Sequence, residues 1–167
     1  HRGQRSPEPG LGDLAALAER SGATGVSVAF TVVEDPSAPL SATPSSLGLS
    51  LYRVAQEALS NVRRHSTASS ATLVLRTGTE DGAPWTEVEV VNDGRPRTGT
   101  SGGGLGQRGI RERAALHHGV AEMGPRSVGG AGSGWRVRVR LPLSRPSGGT
   151  SPSTMTSTVT STEESLT

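Results

Sequence analysis

Apolar residues recur along this chain at spacings that switch between the period of a helix and that of a strand. Leu11, Leu14, Leu17 and Ala18 follow helical spacing, and Gly22 lies just past the end of such a helix. Val26, Val28, Phe30 and Val32 alternate with smaller or polar residues, which predicts a strand. Pro36, Pro39 and Pro44 mark a loop, after which Ser45 or Ser46 can cap a long helix running to about His65. Two strands are expected at Leu73–Thr77 and Thr86–Asn92, joined through Gly78, Gly82 and Pro84, with Val88 and Val90 alternating with Glu87 and Glu89. Residues 94–106 read as a glycine-rich loop, and a helix is expected from about Gln107 to His118, ended by Gly119. Val120–Met123 predicts a short strand, and Arg136–Leu141 a last one with Val137, Val139 and Leu141 inward and three arginines outward. The fold class that accommodates this order is α/β, an α+β two-layer sandwich, with two helices over one mixed, mostly antiparallel sheet.

The long helix carries the most chemistry. Leu47, Leu51, Val54, Ala58 and Val62 form one apolar stripe, and Arg53, Glu57, Asn61 and Arg64 a polar stripe about a quarter-turn from it. A purely solvated face would lie opposite the core; this one lies at its margin, where a cleft wall would be. Glu57 offers a carboxylate base, Asn61 a hard amide oxygen and Arg64 a fork for phosphate, all within reach of one ligand. A plain exposed Glu/Asn/Arg face is the alternative. His65 falls inside the apolar stripe and is expected to be a packed, hydrogen-bonded histidine. His117 and His118 end a helix, where imidazole complements the dipole.

Composition narrows the chemistry. With 167 residues and 32% hydrophobic content, the chain can form one domain with a modest core. Twenty-three glycines and eleven prolines make it rich in loops. Residues 1–10 read as a linker, 11–143 as the folded domain, and the Ser/Thr-rich stretch 144–167 as a disordered tail. The first residue, His1, suggests a fragment or a processed chain. No cysteine is present, which excludes disulfides, thiolate zinc sites and a cysteine nucleophile. All seventeen basic residues are arginine, so neither a P-loop lysine nor Schiff-base chemistry is possible. The net charge of +2 and 2% aromatic content do not suggest a nucleic-acid surface, and no apolar run is long enough for a membrane span.

Two patterns in the glycine-rich loop match known motifs without their setting. Gly104-x-Gly106-x-x-Gly109 imitates a dinucleotide fingerprint, but about a dozen residues separate it from the preceding strand, where that motif follows directly. Gly99-x-Ser101-x-Gly103 imitates a hydrolase elbow, again with no strand before the serine.

The ordered set of segments is more specific than any one of them. Tyr52–Ser66 (YRVAQEALSNVRRHS) resembles the N box of the ATP-binding domain of bacterial two-component sensor histidine kinases. Val90–Gly94 (VVNDG) resembles its first glycine box, Gly104–Gly119 (GLGQRGIRERAALHHG) its second box and helix, and Gly134–Leu143 (GWRVRVRLPL) its closing strand. The likeness spans roughly residues 9–143 and is nearest to the nitrate-sensor-like class. It implies the Bergerat ATP-binding fold, ATP and Mg2+ as ligands, and transfer of the γ-phosphoryl group to a histidine. By position, Asn61 would ligate magnesium and Glu57 would orient a metal-bound water or act as base. Arg64 would contact phosphate. Asn92, with Asp93 as a second choice, would read the base, and Gly94 would let it lie against the backbone. Gly104, Leu105, Gly106 and Gly109 would shape a lid. The implied partners are the dimerisation and phosphoacceptor domain of a parent kinase and a response regulator with a helix-turn-helix output domain. No direct nucleic-acid or membrane contact is implied for this fragment, which is expected to be a cytoplasmic monomer by itself.

The chain departs from that pattern in several places. Asn92 stands where the family has an aspartate, which keeps an acceptor oxygen but loses its charge. Pro96 replaces a glycine and Gln107 an apolar residue, and no histidine has the setting of a phosphoacceptor. Two alternatives therefore stay open: an anti-sigma-factor-type serine kinase of the same superfamily, and a degenerate nucleotide-binding module without kinase activity.

Overall fold

The computed structural model describes residues 6–95, 97, 103–126 and 134–144, and for 103–105 the backbone alone. The disordered tail expected beyond residue 144, the linker residues 1–5, Pro96, the Gly99–Ser101 pattern and the Leu105 side chain lie outside them.

A 3-10 turn at Leu11–Asp13 leads into α1 (Leu14–Gly22), followed by β1 (Ser27–Val33), α2 (Ser45–His65), β2 (Ser70–Glu80), β3 (Ala83–Asn92), α3 (Gly103–Leu116), β4 (Val120–Pro125) and β5 (Trp135–Pro142). The five strands form one mixed sheet in the order β1-β2-β3-β5-β4. Only β1 and β2 run parallel, so their connection must cross over, and α2 is that crossover. The expected sandwich holds, but three helices cover the sheet where the sequence suggested two: α1 packs on β1, α2 on β3 and β5, and α3 on α2, β4 and β5.

The core forms where the apolar stripe of α2 (Leu47, Leu51, Val54, Ala58 and Val62, all buried) meets Leu73, Leu75, Val88, Val90, Val137, Val139 and Leu141 from the sheet. Neither Ser45 nor Ser46 caps α2. The cap is Pro44, with no side-chain bond, and its carbonyl accepts from Gly48 N–H at 3.0 Å. The β2 and β3 strands are longer than expected because they meet in a tight turn at Asp81 (φ 51°) and Gly82 (φ 79°), the left-handed pair that a two-residue hairpin requires. Gly78 stays inside β2 because the Trp85 indole lies where its side chain would be. The third helix starts at Gly103, not near Gln107.

The other face of the sheet carries no helix. Arg76, Arg136, Arg138 and Arg140 lie over Glu87 and Glu89, which are only 2% and 7% exposed. Glu87 accepts from Arg140 at 2.9 Å and from Arg76 at 3.3 Å, Glu89 accepts from Arg76 at 3.2 Å, and Glu122 accepts from Arg138 at 2.7 Å. Arg140 also stacks on Trp85, 3.8 Å from its ring centre. The alternation Val-Glu-Val-Glu in β3 against Arg-Val-Arg-Val in β5 produces this lattice, because paired antiparallel residues share a face.

Candidate functional site

The stripe that buries α2 leaves Glu57, Asn61 and Arg53 half-buried at its edge, while Arg64 is exposed. Below Asn61, a cavity of about 260 Å³ opens between α2, α3 and the ends of β3 and β5. Its apolar wall comes from Ala58, Val62, Val90, Ile110 and Val137, and its polar groups include Asn61, His65, Asn92 and Gln107. An apolar hollow with a few convergent polar groups is the usual form of a small-molecule site.

Asn92 is the last residue of β3 and faces inward beside Trp135, its partner across the ladder. It is 4% exposed, and its Oδ1 accepts from Gly94 N–H at 2.9 Å. Asp93 turns to the other side, as strand alternation dictates, and does not line the cavity. Its carboxylate takes the amides of Ser69 and Ser70, each at 3.1 Å, and both hydroxyls. The Ser70 N–H is the main cause holding this carboxyl below its usual range; partial burial opposes it, and the Ser70 hydroxyl and Ser69 add to it. Gly94 is buried against Ala68, whose backbone and side chain occupy the space a side chain at Gly94 would need. That close approach accounts for the glycine without any ligand.

The first turn of α3 meets the polar stripe of α2. A side-chain carbon at Gly106 would lie 2.5 Å from Glu57 Oε1, 2.8 Å from Asn61 Nδ2 and 3.2 Å from Asn61 Oδ1. The carboxylate and the amide therefore converge on one point, with glycine opposite. Both supply hard oxygen donors of the kind magnesium takes. Among the described residues no three His, Cys, Asp or Glu side chains gather in a metal-binding group, so an ion held here would need further oxygens from a ligand. Gly104 and Gly109 are both helical, and Gly109 has open space around it.

Arg64 is not brought to this cavity. Its guanidinium rests on the Ser60 hydroxyl and borders a second hollow of about 450 Å³ between α1, β1 and α2, which Glu57 also borders. His65 corrects the expectation of a hydrogen-bonded histidine: its ring lines the cavity, and its buried Nδ1 has no partner among the described residues. His117 Nε2 lies 2.7 Å from Ser50 Oγ and ties the end of α3 to α2. Sequence reasoning missed Trp135, Ile110 and Arg97 as wall residues. Trp135 was within reach, since the inward run Val137, Val139, Leu141 places it on the same face.

No family model matches the sequence. Over 95 residues the chain is 33% identical to the sensor histidine kinase LiaS of Bacillus subtilis (strain 168), a match that covers 56% of this chain and 24% of that protein. The chain thus spans about a quarter of the length of this curated relative. In fold it is similar to the Erythrobacter litoralis EL346 blue-light activated histidine kinase, with a TM-score of 0.54 and 22% identity, over 81% of this chain and 42% of that one. The solved histidine kinase domain of the same protein gives the same TM-score and identity, over 80% of this chain and 63% of that chain. At that identity the two structures establish the fold. None of these matches singles out the nitrate-sensor-like class.

Proposed function

We propose that this chain, which is similar in sequence to a sensor histidine kinase and in fold to another histidine kinase, binds MgATP as a catalytic domain. The base would enter the cavity beside Asn92, and Asn61 would contribute an oxygen to the metal. The single observation that carries this reading is the position of Asn61 and Asn92 on two walls of one cavity, with Glu57 converging on the Asn61 amide. Magnesium, when bound, would supply neutralisation of phosphate charge. Glu57 would orient a water or accept a proton, and Arg64 would meet a phosphate only by leaving Ser60.

The γ-phosphoryl group would pass to a histidine on a separate dimerisation domain, and from there to a response regulator with a helix-turn-helix output domain. His117 and His118 lie at the end of α3, and His117 is bonded to Ser50, so neither is offered as the acceptor. The nitrate-sensor-like class and a cytoplasmic site of action belong to the same proposal. Among the described residues no helix is long and apolar enough to cross a membrane.

Titration with a fluorescent ATP analogue, with and without magnesium, tests the binding step. Magnesium-dependent binding that drops at least tenfold in Asn61→Ala is the expected result, since one lost bond to a charged group is worth about 1.5–3 kcal/mol. Equal affinity in both proteins would reject the metal role. Adding a separately expressed acceptor hairpin and radiolabelled ATP tests the transfer, and label on a serine of a sigma-factor antagonist would favour the serine-kinase alternative.

A further inference from the structure

Four side chains of β5 turn toward the helices, and one of them stays uncovered. Val137, Val139 and Leu141 are at most 7% exposed, whereas Trp135, the first residue of the strand, is half-buried and borders the cavity. The chain has two tryptophans, one tyrosine and one phenylalanine, and of these only Trp135 lines that cavity. Across the ladder it is paired with Asn92, and paired antiparallel residues set their Cβ atoms about 4.5–5.5 Å apart on one face. The next pair on the same face is Val90 with Val137, so an aliphatic floor continues inward from the indole.

The other tryptophan shows how this protein holds an indole that serves folding alone. Trp85 lies on the outer face of the sheet against Gly78, with the Arg140 guanidinium 3.8 Å from its ring centre. Trp135 has no such cover: among the described residues its indole makes no hydrogen bond and no contact with a cation. Given the proposal that a nucleotide base enters this cavity, on which the inference rests, we infer that Trp135 is a base-contacting residue whose indole stacks on that base while Asn92 meets its edge. The two side chains divide the task. An amide bonds an edge but does not hold a plane, and the aliphatic wall offers contact without a flat partner. An indole supplies the plane, through an attraction that every base shares because every base has a π face.

Tryptophan emission and calorimetric titration of the whole chain with MgATP test this together. Trp85→Phe leaves Trp135 as the sole indole, and MgATP should quench its emission saturably, with a midpoint at the calorimetric Kd. Trp135→Phe leaves only Trp85, across the sheet, whose emission should not change. Trp135→Ala should weaken MgATP about tenfold, within the range for removing an aromatic partner from a stacked base, and Trp135→Phe should stay within about threefold of wild type. Quenching without a loss of affinity in Trp135→Ala makes the indole a bystander and overturns the inference. A loss of affinity without quenching overturns it too, since the residue then acts through the fold. Both results leave the nucleotide site standing. Failure of the wild-type chain to bind MgATP overturns the site and the inference together. Should Trp135→Ala not fold, as judged by its melting, the emission of Trp85→Phe decides alone.

Discussion

The two faces of the sheet treat polar groups in opposite ways. On the outer face, Glu87 and Glu89 are buried, and arginines of β2 and β5 surround them. On the inner face, at the ends of β3 and β5, the few polar groups among apolar walls are left open: Asn92 Nδ2 has no acceptor and His65 Nδ1 no partner among the described residues. Folding alone explains the first arrangement, since buried charge is tolerated when paired. It does not explain the second, where His65 Nδ1 is buried without a partner among the described residues. The contrast has one exception, the unpartnered Trp85 Nε1 on the outer face beneath Arg140.

The sharpest way to break this contrast is to remove a buried charge from the lattice. Glu87→Ala leaves Arg76 and Arg140 without their shared carboxylate and should lower unfolding stability in urea by about 3 kcal/mol. A loss under about 0.5 kcal/mol would make the lattice no different from an ordinary exposed surface. Next come two glycines, one from each glycine box of the resemblance. Gly94→Ala drives a carbon into Ala68 and should cost about 2 kcal/mol in the same assay. Gly109→Ala meets nothing within 4 Å in a helix and should gain up to about 1 kcal/mol.

The smallest effect is expected at Asp93, just outside the cavity. Its carboxyl is held low in the folded state, chiefly by Ser70 N–H, against 3.8 for the free group. Its contribution is therefore fully present above that value and is lost as pH falls through the folded one. Asp93→Asn should flatten the stability–pH curve on the acid side and leave nucleotide affinity unchanged. A loss of affinity would return Asp93 to the site.

The long helix and the alternating strands were legible because burial imposes their periods. All five stripe residues of α2 are buried, and the inward valines of β3 and β5 are too. The start of α3 was not legible, because Gly102, Gly103, Gly104 and Gly106 carry the poorest helix propensity short of proline. Tertiary contact overrides it: α3 comes close to α2 at Gly106, where a side chain would displace the Glu57 carboxylate and the Asn61 amide. The hairpin was underread for a different reason. Asp81-Gly82 is itself the turn signal, but Gly78 and Pro84, residues that also break strands, flank it inside the ladder.

Of the candidate site, the margin of the stripe put Asn61 at a cleft wall and the resemblance put Asn92 beside the base, and both side chains line one cavity. The side of α2 on which Arg64 lies was not, because Ser60 holds it by a bond that helical spacing alone does not single out. Nor could sequence show that His65 would pack without a partner for Nδ1, since that depends on what the third helix leaves open above it.

Because β1 and β2 run side by side in the same direction, the segment between them is obliged to climb across the sheet, and that segment is α2. The molecule thus places Asn61 on the link between its two parallel strands, while β1 itself is held by its ladder with β2 and by α1. A guest that prefers the folded form steadies the whole sheet against global opening while touching one end of it.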